Sequence, residues 1–277
     1  MARAWAPAHI TAFFVIFGNG SAGAGINLKS GVETEAKVSE KRAGIRINGE
    51  SGPARTSERV IAKYREITEN DFLAEVWHSC ELPVGCGFGL SGAGAFSLSL
   101  ALNEELGAGL SYDECAEIAR LAEIEEGTGL GDVIAQKYGG LLIGEQPYPS
   151  MAAGRIEIDE KYVACATFGK IDTCAVIRDG VWKEKINSIG LDCMRRFRGE
   201  RNSENFIALA REFSRESGLA DAEIMRILND VKGASMAMLG RSVFLPGNSP
   251  EKQKALLERH FGSVYVSEIA EGGAKLL

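Results

Sequence analysis

The stretch Pro83–Gly94 reads PVGCGFGLSGAG, with five glycines between Gly85 and Gly94. Glycine reaches positive φ at no steric cost and lets the backbone approach a ligand without a Cβ in the way. The segment follows a predicted strand and opens a predicted helix. A helix amino terminus carries unpaired N–H groups and a partial positive charge, which suits an anion. Strand, glycine loop and helix in that order point to phosphate binding. The loop lacks the Gly-Lys-Ser/Thr ending of a P-loop, and Gly85-Cys86-Gly87 is followed three residues on by Leu90, where a dinucleotide fingerprint needs glycine or alanine. Ser91 also stands where an ordinary helix N-cap could stand.

A second group of chemically capable residues lies further along. Glu123, Glu125 and Glu126 end a predicted helix, and Gly127-Thr-Gly-Leu-Gly-Asp132 and the pair Gly139-Gly140 follow. Two carboxylates here have a physical rationale beside a phosphate loop: one as ligand for Mg²⁺, the other as acceptor for a hydroxyl proton. Helix phase does not decide among the three glutamates, since Glu126 continues the apolar stripe and Glu123 borders it. A solvated acidic helix end accounts for at least one of them.

The elements that must hold these residues are legible in outline. Ala12–Phe17 is an apolar, aromatic run and reads as an early buried strand. Gly18–Gly25 reads as a flexible glycine loop. Val32–Val38, Gly44–Asn48 and Ala74–Cys80 read as strands and Ser57–Tyr64 as a short helix. Ala93–Leu106 has little polar face and predicts a buried helix. Ser111 opens another, with Glu114 placed for a capping box. Beyond the linker candidate Pro147–Gly154, strands are expected at Tyr162–Thr167, Cys174–Ile177, Ser242–Leu245 and Ser263–Val266. Helices are expected at Ser203–Ser217, Asp221–Val231 and Pro250–His260, the last started by proline. Two domains follow, 1–154 and 155–277.

Composition narrows the partners. The 277 residues are 45% hydrophobic and 25% charged, ordinary globular values. A net charge of −7 without a basic stripe argues against nucleic acid. The six cysteines form no Cys-x-x-Cys pair, which argues against a metal cluster and for reduced thiols. No run reaches the ~18–20 apolar residues of a membrane span. Ile10–Phe17 is short, with Arg3 the one basic residue before it and Pro7 and His9 at its edge, so it reads as a strand and not a signal peptide. The expectation is a cytoplasmic protein.

The loop resembles the second motif of the GHMP kinases, Pro-x-Gly-x-Gly-Leu-Gly-Ser-Ser-Ala. Pro83, Gly85, Gly87, Gly89, Ser91 and Ala93 fall in register, with Phe88 in the leucine slot and Leu90 in place of the first serine. The resemblance implies ATP held by Pro83, Gly85, Gly87, Gly89, Leu90, Ser91, Gly92 and Ala93, with Mg²⁺ on Ser91 and Glu123 and Asp132 as base. Gly233–Gly240 stands where the third motif belongs, without its Gly-Gly run. The first motif here is Pro7-Ala-His9-Ile-Thr11-Ala-Phe-Phe14, lacking the Gly-Glu-His ending of sugar and mevalonate kinases. That string, the Gly20–Gly25 loop and Thr128–Gln136 are similar to the archaeal pantoate kinases. This implies an α+β, two-domain GHMP kinase fold: a ribosomal protein S5 domain 2-like amino-terminal domain and a ferredoxin-like carboxyl-terminal domain, with a homodimer as the family expectation. It also implies transfer of the ATP γ-phosphoryl group to the 4-hydroxyl of pantoate. His9 and Thr11 would bind hydroxyls, and Ser21, Gly23 and their neighbours in Gly20–Gly25 would form an anion nest. A basic partner for the carboxylate is expected after Gly140, where Gly144 and Glu145 stand, leaving Arg155, Lys170 and Arg178. The alternatives are a GHMP kinase for mevalonate, homoserine or shikimate, or a non-catalytic ligand-binding protein of this fold. Ser91, Glu123 and Asp132 together argue against the last.

Overall fold

The computed structural model describes residues 1–18, 20–146, 150, 152–171 and 180–277. It opens on two long antiparallel strands, β1 (Ala2–Phe17) and β2 (Gly20–Ser39). The expected loop Gly18–Gly25 is mostly strand. Its small residues serve contact and not flexibility: a Cβ on Gly23 would lie 2.6 Å from the Phe13 carbonyl oxygen, and one on Gly25 would lie 2.5 Å from the His9 ring. Residues Gly23–Ile26 are paired on both sides, so an anion nest of free amides is not formed there.

After β3 (Gly44–Ile47) and β4 (Glu50–Ser51), α1 (Arg55–Thr68) leads to β5 (Leu73–Cys80) and, past the glycine loop, to α2 (Leu90–Leu106). Helix α2 is buried nearly all round, as its composition predicts, and lies on β1 and β2, where Ala2, Ala4, Ala6 and Ala8 leave room for it. Helix α3 (Tyr112–Glu126) begins with the expected capping box of Ser111 and Glu114. The short α4 (Asp132–Gln136), β6 (Leu141–Gly144) and β7 (Gly154–Ile156) follow. The proposed linker lies partly outside the described residues.

The carboxyl-terminal half runs β8 (Tyr162–Lys170), α5 (Gly180–Gly199), α6 (Ser203–Ser217), α7 (Ala222–Asp230), β9 (Ser235–Ala237), β10 (Gly240–Gly247), α8 (Pro250–Leu257), β11 (Tyr265–Glu268) and β12 (Lys275–Leu276). Strands β8–β11 make an antiparallel sheet in the order β11-β8-β10-β9, a β-α-β-β-α-β arrangement of the ferredoxin-like kind. The first sheet runs β12-β1-β2-β5-β3-β4, with β6 on the other end of β2 and β7 beyond it. The expected strand Cys174–Ile177 lies outside the described residues. Helix α5 has no counterpart among the elements expected from the sequence pattern. It crosses β1 closely at Gly190, where a Cβ would come 2.1 Å from the Phe14 carbonyl oxygen. Phe13 stacks edge-on against Phe197 of α5 at 5.6 Å and lies 6.0 Å from Phe206 of α6, joining the two halves through one apolar core.

Candidate active site

Three glycines shape the loop between β5 and α2. Gly85, Gly87 and Gly89 have φ of +80°, +83° and +61°, values that only glycine adopts without strain. Gly89 is the N-cap of α2, so Ser91 sits inside the first turn and is not the N-cap. The first helical bond runs from the Ala93 amide to the Gly89 carbonyl at 3.1 Å. The amides before it have no partner within the helix, which is the property an anion needs. From the other side the loop is buttressed by the turn between β9 and β10. Ser242 donates to the Cys86 carbonyl at 2.5 Å, and a Cβ on Gly87 would lie 2.8 Å from the Gly240 nitrogen. The Met238 amide bonds the Thr11 carbonyl at 3.0 Å, so the third glycine segment ties the loop to β1.

This loop borders a cleft of about 500 Å³. Gly85, Gly87, Gly89, Leu90 and Ser91 line it, as do His9, Thr11, Ser21 and Asp132. Pro83, Gly92 and Ala93 do not, and the Ala93 amide is already committed to the helix. Val32, Ile47, Pro53, Ala54 and Val84 supply an apolar wall, and Arg55 and Lys170 are basic residues on its lining. A hollow of about 50 Å³ shares His9, Thr11, Ser21 and Asp132 with the cleft and is walled by Gly23, Ala24, Gly25, Leu142 and Gly144.

The three glutamates separate cleanly. Glu125 pairs with Lys63 at 2.6 Å and with Arg59, and Glu126 with Arg59, so both fasten α3 to α1. Glu123 instead is 2% exposed, beneath the loop. Thr128 donates to its Oε1 at 3.0 Å, and the Thr56 hydroxyl bridges Thr128 at 3.3 Å and Ser91 at 3.2 Å. Burial, reinforced by the nearby Asp132 charge, pushes the Glu123 carboxyl up to about 8. It has no cationic partner among the described residues. Close by, Gln136 donates to the Gly89 carbonyl at 2.8 Å while its own buried oxygen accepts nothing among the described residues. A Cβ on Gly92 would meet Glu123 Oε2 at 2.7 Å and Gln136 Oε1 at 2.9 Å. The Glu123 carboxyl, the Ser91 and Thr128 hydroxyls beside it and the unpaired oxygen of Gln136 are hard oxygen donors of the kind that Mg²⁺ takes, so the residues fit that ion.

Asp132 stands at the start of α4, where Thr11 donates to it at 3.4 Å. Burial raises its pKa against the opposing pull of His9 and the Thr11 hydrogen bond. Gly89 backs onto this pair: a Cβ there would lie 3.1 Å from His9 Cβ and 3.2 Å from Asp132 Oδ2. His9 Nδ1 in turn lies 2.8 Å from Asn27 Oδ1.

Of the basic residues considered for a substrate carboxylate, Lys170 lies on the cleft, its stem beside Gly85. Arg155 turns away to the Glu271 carbonyl, and Arg178 lies outside the described residues. Sequence reasoning missed Thr56 and Asn27 and gave no role to Thr128 or Gln136. Asn27 had a signal, a polar amide between Ile26 and Leu28 in a strand, where asparagine is depleted. Thr56 is one hydroxyl among many until the fold brings it to Ser91.

The family model for the GHMP kinases N terminal domain matches residues 56–140, which contain the loop, Glu123 and Asp132. The pantoate kinase of Methanocaldococcus jannaschii is 37% identical over 262 residues, covering 91% of this chain and 95% of that protein. The pantoate kinase of Thermococcus kodakarensis is 33% identical, with 91% and 90% covered. Among solved structures, a phosphotransferase related to the CoA biosynthesis pathway superposes with a TM-score of 0.85 at 29% identity, covering 99% of this chain and 98% of that one.

Proposed function

We propose that this chain, which belongs to the pantoate kinase family of the GHMP kinases, transfers the γ-phosphoryl group of ATP to the 4-hydroxyl of pantoate, an early step towards coenzyme A. The observation that carries the reading is the meeting of two devices on one cleft: the amide-lined start of α2 and, behind Gly89, the Asp132 carboxylate beside Thr11 and His9. The expected two-domain α+β fold agrees with the two sheets. Its division at 1–154 and 155–277 is part of the same proposal, as are a homodimer and a cytoplasmic setting.

In this reading the α2 amides and Lys170 hold the phosphates, and the apolar wall takes the base. Ser91 and Glu123, with Gln136 behind them, would hold Mg²⁺, which would neutralise charge on the β- and γ-phosphates. Thr56 and Thr128 keep Ser91 and Glu123 facing one another through their hydroxyls. Asp132 accepts or orients the proton of the attacking hydroxyl. Its carboxylate form is favoured by Thr11 and opposed by burial. The glycine and alanine wall of the smaller hollow holds the acceptor in place, and positioning of this kind supplies most of the rate in phosphoryl transfer.

ADP release followed over pantoate, mevalonate, homoserine and shikimate tests the assignment. Mg²⁺-dependent turnover is expected with pantoate and little with the others. Equal or faster turnover on any of the other three overturns the substrate and leaves the kinase.

A further inference from the structure

The His9 imidazole is 6% exposed, yet one of its nitrogens has no partner among the described residues. Nδ1 faces Asn27 Oδ1 at 2.8 Å. The orientation of that amide is fixed, because its nitrogen donates to the carbonyls of Ala135 at 2.8 Å and Tyr138 at 2.6 Å. An amide oxygen only accepts, so Nδ1 carries the hydrogen. Burial lowers the pKa of His9 against the opposing pull of Asp132, which favours the neutral ring. Nε2 therefore holds a free lone pair. It makes no hydrogen bond among the described residues and is not among the enclosed unsatisfied atoms, while the ring lines both the cleft and the hollow. The ring cannot swing away easily. The His9 amide bonds the Phe88 carbonyl at 3.0 Å, and Gly25 lies under the Cε1–Nε2 edge, where a Cβ would come within 2.5 Å.

We infer that Asn27 is a positioning residue that fixes His9 as its Nδ1–H tautomer, so that Nε2 accepts a hydrogen bond from the second, non-reacting hydroxyl of the substrate. The inference rests on the pantoate kinase reading above. Pantoate carries hydroxyls on C2 and C4, two methyl groups on C3 and a carboxylate. A nitrogen lone pair repels the carboxylate and pairs with a hydroxyl hydrogen. The C4 hydroxyl lies with Asp132 in that reading, which leaves the C2 hydroxyl for His9. A site built around such a bond discriminates against a molecule that lacks the hydroxyl, because the buried acceptor is then left unpaired. His9 and Asn27 thus select a 2-hydroxy acid over a simple hydroxy acid of the same shape.

The test compares pantoate with 4-hydroxy-3,3-dimethylbutanoate, which has hydrogen in place of the C2 hydroxyl. The wild-type protein should favour pantoate in kcat/KM by at least about tenfold. In His9→Phe that preference should collapse to within about twofold, a factor below ~0.5 kcal/mol. A preference that persists in His9→Phe overturns the inference. Independently of whether that variant folds, nitrogen-15 spectra of the histidine-labelled wild-type protein supply a second readout. His9 should show a protonated Nδ1 and a bare Nε2, and the Nε2 resonance should move on adding pantoate and stay with the analogue. A protonated Nε2 in the free protein, or equal shifts with both compounds, overturns it as well. If the wild-type protein phosphorylates neither compound, the functional reading and the C2-hydroxyl assignment both fail, while the tautomer spectra of the wild type and of Asn27→Ala still decide the role of Asn27: a tautomer unchanged in Asn27→Ala overturns it.

Discussion

Glu123 is a buried acid and Asp132 a half-buried one near the same loop, and their neighbours give them different work. Glu123 meets hydroxyls, and the unpaired oxygen of Gln136 faces the same side of Gly92, an environment that wants a cation. Asp132 meets Thr11 and His9, groups that can share a proton with an alcohol. Replacing Asp132 by asparagine keeps size and hydrogen bonding but removes the acceptor. Turnover should fall by about 10²–10⁴-fold with ATP affinity nearly intact. A loss below about tenfold would mean that Asp132 orients the hydroxyl without accepting its proton, since a loose transition state asks little of a base. Glu123→Gln should lose activity in a way that raised Mg²⁺ partly restores, and raised Mg²⁺ should not restore Asp132→Asn. Initial rates across a Mg²⁺ titration distinguish the two. Recovery of the Asp132 variant, or rescue in Glu125→Gln instead, contradicts the division. At this scale the sequence offered both carboxylates but not the choice among three glutamates. That choice depended on Arg59 and Lys63 of a different helix.

At the scale of elements, the site depends on how α1 is fixed to the sheet. Ser57 in its first turn faces His78 Nε2 of β5 at 2.9 Å. His78 Nδ1 faces Thr34 of β2 at 2.8 Å, and Thr34 meets Ser97 of α2 at 2.6 Å. This chain holds α1 so that Thr56 reaches Ser91. Burial lowers His78 from 6.5 to about 4. Between those values the unfolded chain binds a proton that the folded one refuses, so stability falls as pH drops from 6.5 towards 4. The difference amounts to ~3 kcal/mol when complete. Urea unfolding across that range should show the loss in the wild type and a smaller loss in His78→Gln. Parallel losses in the two proteins would remove His78 as the cause.

The same scale shows what pattern reading reaches. Helix α2 was legible because nearly every side chain is apolar or small, and α3 because its cap is written in local residues. Helix α5 carries Trp182, Ile186, Ile189, Cys193 and Phe197 at helical spacing, but Gly190 interrupts the propensity. That glycine is there for β1, not for the helix. The glycines of Gly20–Gly25 misled in the same way: they read as flexibility, and they serve close approach of Phe13 and His9. In both cases the reason for a glycine lies on another element, where periodicity cannot see it.

In the whole molecule, the halves share an interior and the cleft draws on both. Phe13 and Phe14 of β1 pack on Phe197, Phe206 and Phe213 of the carboxyl-terminal helices, and Lys170, Ile171, Met238 and Leu239 come to a cleft otherwise built from residues before 133. Phe13→Ala should cost about 3–5 kcal/mol, a large share of a typical 5–15 kcal/mol. Its calorimetric transition should move down as one peak. Two separated transitions would show that the halves unfold independently. The central claim is that phosphate held at α2 passes to the C4 hydroxyl of pantoate beside Asp132. Phosphorus NMR of the products from ATP, Mg²⁺ and pantoate tests it most directly. The account predicts ADP and one new phosphate monoester, its phosphorus coupled to the C4 methylene protons, in equal amounts. ADP accompanied by free phosphate alone, or an ester on the C2 oxygen, would contradict it.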